Sequence, residues 1–524
     1  MNLRGKLPLF CAVLLFLAGC AAPQLQTPTP SPVPAVAPRA TSRPAATATR
    51  TPAPSPTPSS TALSPLHLAP RSLNGPHLAY IRAQQLALLD ADGTGREIIP
   101  LPAGSDVGDY AISPDGRWLA YYLGSAQNDQ PHNLSLNLLD LHNGQTRLVS
   151  KLLSRDYPQN FAQAVKKPKD PSTTTQQLQQ AFLAGITHAL AWSPDGSYLA
   201  FAGEMDGPSS DVYVYDMHTW GIQRKSFGPS EIQWLGWSPD GQWLVYSSVY
   251  AFDPGTVFEF YATTLAGSPP GSLVMRAPTN VLSSSATQSV APSLWINAHQ
   301  FLAYDSNSLA GDYDLRLVDI AAGSAVELWA GNFTGLTIDP HKQWAGFFSS
   351  IPGWPYGHID GPDYPAGAYL VGFAGPMRVS VPAPHVAGTI GKISLLSGYI
   401  GDQQPFVASA SNIDHLLFVS AHGTLSDSGI APGTVSFTPD LQNWIVIGTT
   451  IRVYSAGNEL VREVPLPAEL HISQASQIVW RPDSSGLFLV SDASLYALDL
   501  HSGGVQLVET ALDLPAAFTW VTPK

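Results

Sequence analysis

Three stretches of this chain read almost alike: "YAISPDGRWLAYYL" at 110–123, "LAWSPDGSYLAFAG" at 190–203 and "LGWSPDGQWLVYSS" at 235–248. Ser-Pro-Asp-Gly is tight-turn chemistry: Pro presets φ, Asp offers a side-chain oxygen to the backbone, and Gly accepts a positive φ. The apolar and aromatic residues on either side alternate as strands do. One such hairpin cannot bury both of its faces, so a chain that repeats it must stack the copies against one another.

Worn copies follow. Aligned on the proline, Pro114, Pro194 and Pro239 continue as Asn297 in "LWINAHQFLAY", Pro340 in "LTIDPHKQWAG", Pro439 in "VSFTPDLQNWIV" and Pro482 in "IVWRPDSSGLFLV". The intervals are 80, 45, 58, 43, 99 and 43 residues. A unit of about 43 residues with insertions has the period of propeller blades. A second hairpin accompanies the first in "LNLLDLHNGQTRLVS", "VYVYDMHTWGIQRKS", "LRLVDIAAGSAVELW" and "LYALDLHSGGVQLVE". Each unit is therefore expected to be a four-stranded antiparallel meander. Trp118, Trp192, Trp237, Trp243, Trp295, Trp344, Trp444, Trp480 and Trp520 sit in or beside these templates, where packing between blades is their expected role.

Residues 77–99 look like a blade without a first strand, and "PAAFTWVTPK" at 515–524 like a first strand without a blade. The expected fold class is all-β: a single β-propeller of eight four-stranded blades, seven being the alternative. Pairing of the C-terminal strand with the N-terminal blade would close it and remove two exposed sheet edges. The 99-residue interval leaves room for one more degenerate unit around "PFVASASNIDHLLFVSAHGTL".

These motifs resemble the WD40-like (PD40) repeats of the periplasmic TolB propeller, which recur in prolyl-oligopeptidase-type propellers and many lipoproteins. The resemblance implies the fold and a habit of binding proteins or peptides. It implies no substrate, because propellers host unrelated functions.

The N-terminal stretch "MNLRGKLPLFCAVLLFLAGC" has Arg4 and Lys6 ahead of an apolar run too short for a comfortable membrane span. That is the build of a secretory signal. "LAGC" at 17–20 resembles the lipobox of bacterial lipoproteins, which implies cleavage before Cys20 and lipidation of its thiol. The expected layout is a lipoprotein signal peptide at 1–19, a disordered Pro/Thr/Ser/Ala-rich linker at 20–75 and the propeller at 76–524. The protein is then expected in the cell envelope, outside the cytoplasmic membrane and held to it by the lipid. Cys11 leaves with the signal, so no disulfide framework is expected.

The net charge of −13 disfavours nucleic acid as a partner. Lys166, Lys167 and Lys169 form the basic cluster worth naming, and they fall in an expected loop. No Gly-x-Ser-x-Gly, His-Glu-x-x-His or paired cysteines occur, so no catalytic residue, metal or cofactor is expected. "LDADGTG" at 89–95 has a calcium-loop flavour but stands where a hairpin turn belongs. Asp140/His142, Asp216/His218 and Asp499/His501 share a spacing on equivalent turns of different blades, which keeps them apart on the rim.

Function in a rigid scaffold sits in its loops. Between second and third strands lie Trp354, Tyr356, His358, Asp360, Asp363 and Tyr364 in one unit, Tyr250, Phe252 and Asp253 in another, and Glu204 and Asp206 in a third. All three loops are expected on the face opposite the Ser-Pro-Asp-Gly turns. Aromatics, acids and one His there suit a cation, a sugar or a peptide; they suit a packed lid equally well. Within the insertion 151–188, Thr173 and Gln176 have capping-box spacing ahead of a short helix that ends at Gly185. The favoured role is a non-catalytic scaffold binding a protein, peptide or other ligand, with oligomeric state left open. The alternative is a propeller enzyme, a glycan lyase or hydrolase with its site at the channel mouth.

Overall fold

A computed structural model describes residues 76–521 except 83–84, 102–104, 125–133, 157–185, 187–188, 207–208, 229–230, 250–257, 278–294, 308–311, 331–333, 340, 350–366, 374–377, 382–384, 387–388, 391–392, 399–405, 468–469, 471–476, 511 and 513–517. The expected leader, lipidation site, linker and short helix lie outside these residues.

The described strands form nine small antiparallel sheets, each a blade, plus a hairpin of His385–Val386 with Thr389–Ile390. Blade 1 combines His77–Arg82, Gln85–Asp90 and Glu97–Ile98 with Phe518–Val521. Blades 2 to 9 follow at 105–151, 190–224, 231–277, 295–330, 334–381, 393–427, 434–465 and 477–509, consecutive strands lying side by side in each. The count is nine, and it corrects the expectation of eight blades or seven. The additional blade fills the 99-residue interval with Ile393–Gly398, Phe406–Ala410, Leu417–Val419 and Leu425–Asp427. Blade 5, the Asn297 unit, keeps three full strands, and a single bridge from Trp295 to Phe301 stands for its first.

The motif owes its composition to one hydrogen-bond pattern. Ser193 Oγ donates to Asp195 Oδ1 at 2.6 Å and accepts the Tyr198 amide at 2.9 Å, while Gly196 takes φ of 75°. Ser113 and Ser238 repeat this with Asp115 and Asp240, and with the amides of Trp118 and Trp243. Worn copies keep the lock by other means. Asp339 accepts the Trp344 amide at 2.5 Å, and Thr438 accepts that of Asn443 at 3.0 Å. Where the glycine is lost, Lys342, Leu441 and Ser484 hold φ of 56°, 58° and 62°, a region costly for residues with a Cβ.

First strands of consecutive blades lie beside one another, Ser105–Ile112 by Leu190–Trp192 and that in turn by Glu231–Trp237, so they line the axis. The core is divided among the seams. Leu199 and Phe201 of blade 3 pack on Leu136, Leu138 and Tyr122 of blade 2, while Ala200 and Ala202 face Leu244 and Tyr246 of blade 4. This is the period of two that a strand buried on both faces requires. Tryptophans stitch the seams: Trp192 Nε1 donates to Ala111 O at 3.1 Å, Trp237 Nε1 to Ala191 O at 3.1 Å, and Trp480 Nε1 to Ser436 Oγ at 2.8 Å. Trp329 fills the seam between blades 5 and 6, 4.9 Å from Phe347 and 4.2 Å from Tyr369 between ring centres.

In blade 1, Val521, Trp520, Thr519 and Phe518 pair with His77, Leu78, Ala79 and Tyr80. The same blade packs against blade 2 through Ile81, Leu88 and Tyr121, and against blade 9 through Tyr80, Phe488 and Leu495. Arg82 and Arg96 of blade 1 meet buried Glu509 of blade 9, Arg96 Nη1 by a hydrogen bond and Arg82 Nε as an ion pair at 2.7 Å without one.

Candidate binding face

Strand direction gives the blades two unlike faces. The Ser-Pro-Asp-Gly turns and the turns joining third to fourth strands share one, here the turn face. The second-to-third and blade-to-blade connections share the other. Tyr250, Phe252, Asp253, Trp354, Tyr356, His358, Asp360, Asp363 and Tyr364 lie outside the described residues. Of the expected site, Glu204 and Asp206 can be placed.

Glu204 follows the second strand of blade 3, Tyr198–Gly203, and is 1% exposed. Its amide donates to Leu152 O at 2.7 Å and its carbonyl accepts from Ser154 N at 2.6 Å, splicing the exit of blade 2 onto blade 3. Asp206 is exposed; it accepts the Tyr213 hydroxyl and, at 3.0 Å, Arg224 Nη1. The two acids thus part, one inward to a seam and one outward to an ion pair.

Around Asp206 stands a cluster that the loop-centred sequence reading passed over. Asp211 opens the third strand of blade 3 and Arg224 closes the fourth, so register sets them near one edge. Arg224 donates through Nη2 to Asp211, through Nη1 to Asp206, and through Nε to Ser226 O at 2.8 Å. Ser226 Oγ donates to Asp211 Oδ1 at 2.7 Å and accepts the Val212 amide. Burial pushes the Asp211 carboxyl up to about 6 against Ser226 and Arg224, which favour its charge.

Glu231 begins the innermost strand of blade 4 beside that group. Its Oε2 accepts both the Ser210 amide at 2.9 Å and Ser210 Oγ at 2.8 Å, and Ser210 Oγ accepts the Ile232 amide. No cation pairs with it among the described residues. Burial raises it to about 7 against the Ser210 hydrogen bonds. Lys225 turns its ammonium onto the carbonyls of Leu265, Gly267 and Thr264, and burial lowers its pKa.

These bonds fix the segment Lys225 to Gly228 from both sides, with Ser209 Oγ donating to Gly228 O at 2.5 Å. Phe227 projects from it 56% exposed, with the Arg224 guanidinium carbon 4.5 Å from its ring centre. An aromatic held on a rigid loop beside a guanidinium is what a recognition surface needs, because little ordering remains to oppose association.

The repeated Asp-x-His pairs serve local geometry. Asp140, Asp216 and Asp499 each accept the amide of the histidine two residues on, at 2.9, 2.7 and 3.0 Å. Asp92 likewise accepts the Thr94 amide and hydroxyl in a turn. Among the described residues, no three His, Cys, Asp or Glu side chains gather as metal ligands.

No protein-family model matches the chain, and no curated protein does. Solved structures do. A eukaryotic initiation factor is 12% identical, over 86% of this chain and 99% of its own, with a TM-score of 0.46. The dihydro-heme d1 dehydrogenase NirN in complex with DHE is 12% identical over 87% and 77%, at 0.40. A putative TolB from Agrobacterium tumefaciens is 19% identical over 50% and 79%, at 0.28. The propeller assignment rests on the strand topology itself.

Proposed function

We propose that this chain is a lipid-anchored propeller outside the cytoplasmic membrane, sealed by its C-terminal strand, that binds a protein or peptide without catalysis on the face opposite its turns. One observation carries the reading. On the described part of that face, Asp206 and Asp211 hold Arg224 and Glu231 holds Ser210, and this scaffolding presents Phe227 as an exposed aromatic. A lipobox-like "LAGC" supports the anchor.

The test is a photo-crosslinking residue at position 227, compared with one at Asp195 on the turn face, in cells that make the full chain. A discrete protein adduct from position 227 alone is expected; equal or absent adducts would sink the choice of face. Lipid labelling that persists in Cys20→Ala would remove the anchor.

The enzyme reading keeps one supporting observation. Glu231, raised to about 7, stands where a general acid or base would be tuned for neutral pH. Glycan or peptide turnover by the native chain that is lost in Glu231→Gln, with fold intact, would favour it over the scaffold.

A further inference from the structure

Four turns joining third to fourth strands share one geometry. The residue four places after the strand-ending Asp takes a left-handed conformation: Gly144 at φ 73°, Gly323 at 62°, Gly503 at 75° and Trp220 at 59°. Trp220 N donates to Asp216 O at 2.8 Å, as Gly144 N does to Asp140 O and Gly503 N to Asp499 O. Three blades use glycine here and one uses the bulkiest residue, which is strained in this region.

The indole gains specific company. The Arg147 guanidinium carbon, from the outer strand of blade 2, lies 3.9 Å from its ring centre. Trp118 meets it edge-on at 6.0 Å, and the Arg117 guanidinium lies 5.0 Å from Trp118. Arg117 is committed to Asp140 through Nε at 3.2 Å and Nη2 at 3.0 Å. Arg147 has no carboxylate among the described residues, although the chain is net acidic. It lies against the Trp220 ring and hydrogen-bonds the buried Tyr215 hydroxyl, whose pKa burial raises and Arg147 opposes. A guanidinium over an indole has five N–H donors, and with one spent on the Tyr215 hydroxyl the others can fork a carboxylate.

We propose that Arg147, Trp220 and Trp118 form a binding site on the turn face, between blades 2 and 3, for a carboxylate-bearing ligand with a flat apolar body. Arg147 grips the carboxylate and the indoles receive the body. The strained backbone at Trp220 keeps the ring beneath the guanidinium. This site is separate from the opposite face and stands whether or not Phe227 docks a partner.

The experiment is titration calorimetry of the full chain in detergent with benzoate, and with benzamide as its uncharged counterpart. Benzoate is expected to bind and benzamide to bind at least about tenfold more weakly. Trp220→Gly installs the residue of the sister turns but removes a half-buried ring, so melting temperature should fall modestly, strain relief offsetting part of the lost packing, while benzoate affinity falls at least about tenfold. Arg147→Lys keeps the charge but loses the planar fork, and should weaken benzoate with little change in melting. Absence of benzoate binding, equal binding of benzamide, or unchanged affinity in either variant would overturn the proposal. If Trp220→Gly fails to fold, Arg147→Lys decides alone.

Discussion

Arg96 Nη1 donates a 2.8 Å hydrogen bond to Glu509 Oε2, across 413 residues of sequence. Glu509 is 2% exposed at its side chain, so the ion pair is half inside the protein. Glu509→Ala should therefore cost about 2 kcal/mol in denaturant unfolding, leaving two guanidiniums at a seam without their acid. Burial works against the Glu509 charge, but the Thr510 amide, Arg96 and Arg82 outweigh it and hold its pKa below the ordinary 4.5. Its contribution is present above pH 4.5 and is lost as pH falls through the lower folded value. Glu509→Gln should flatten that acid limb.

Glu231 and Asp211 act with the opposite sign. Each is raised in the fold, from 4.5 to about 7 and from 3.8 to about 6. Their contribution is complete below the unfolded values and disappears as pH rises through the folded ones. Between pH 4.5 and 7, stability should fall by an amount on the order of 2 kcal/mol from these groups. Glu231→Gln should remove much of that slope; melting curves that stay as steep in pH would refute the assignment.

The worn turns carry a removable cost. Leu441, at φ 58°, stands where Gly116, Gly196 and Gly241 stand in the intact motifs. Leu441→Gly should raise stability by about 0.5–1 kcal/mol, relief of the left-handed backbone outweighing the glycine's greater freedom when unfolded. Gly196→Leu should do the reverse and by more. Denaturant midpoints at constant slope are the measurement.

Tyr121 faces the previous blade from the position that Phe201 and Phe347 occupy in theirs. It is 0% exposed, and its hydroxyl has no partner among the described residues. Tyr121→Phe should stabilise by about 1 kcal/mol, since an unsatisfied buried hydroxyl is lost and the ring stays. Tyr246, whose hydroxyl donates to Pro270 O, should lose stability on the same change.

Much of this architecture was legible because the turn chemistry is local. Ser-Pro-Asp-Gly announces a hairpin wherever it occurs, and Trp192 and Trp237 mark the seams they stitch. Blade 7 escaped the count because residues 399–405, between its first two strands, contain no such tetrapeptide, and its outer strands Leu417–Val419 and Leu425–Asp427 are too short to show a period. The site was harder to read. Attention to loops singled out Glu204 and Asp206 and passed over Asp211, Arg224 and Glu231, which lie at strand ends brought together by pairing. A signal was present: Arg224 and Lys225 follow one another at the close of a strand that faces acids at 206 and 211. Trp220 was visible too, as a tryptophan in a column of glycines.

His77 and Val521 are partners at the end of blade 1 that carries the tight turns. The seam between the two ends of the described chain therefore opens on the turn face, away from Phe227. A ring fastened there keeps its latch and its exposed aromatic at opposite ends of the blades, so loosening the pairing of His77 with Val521 would not act on Phe227 directly.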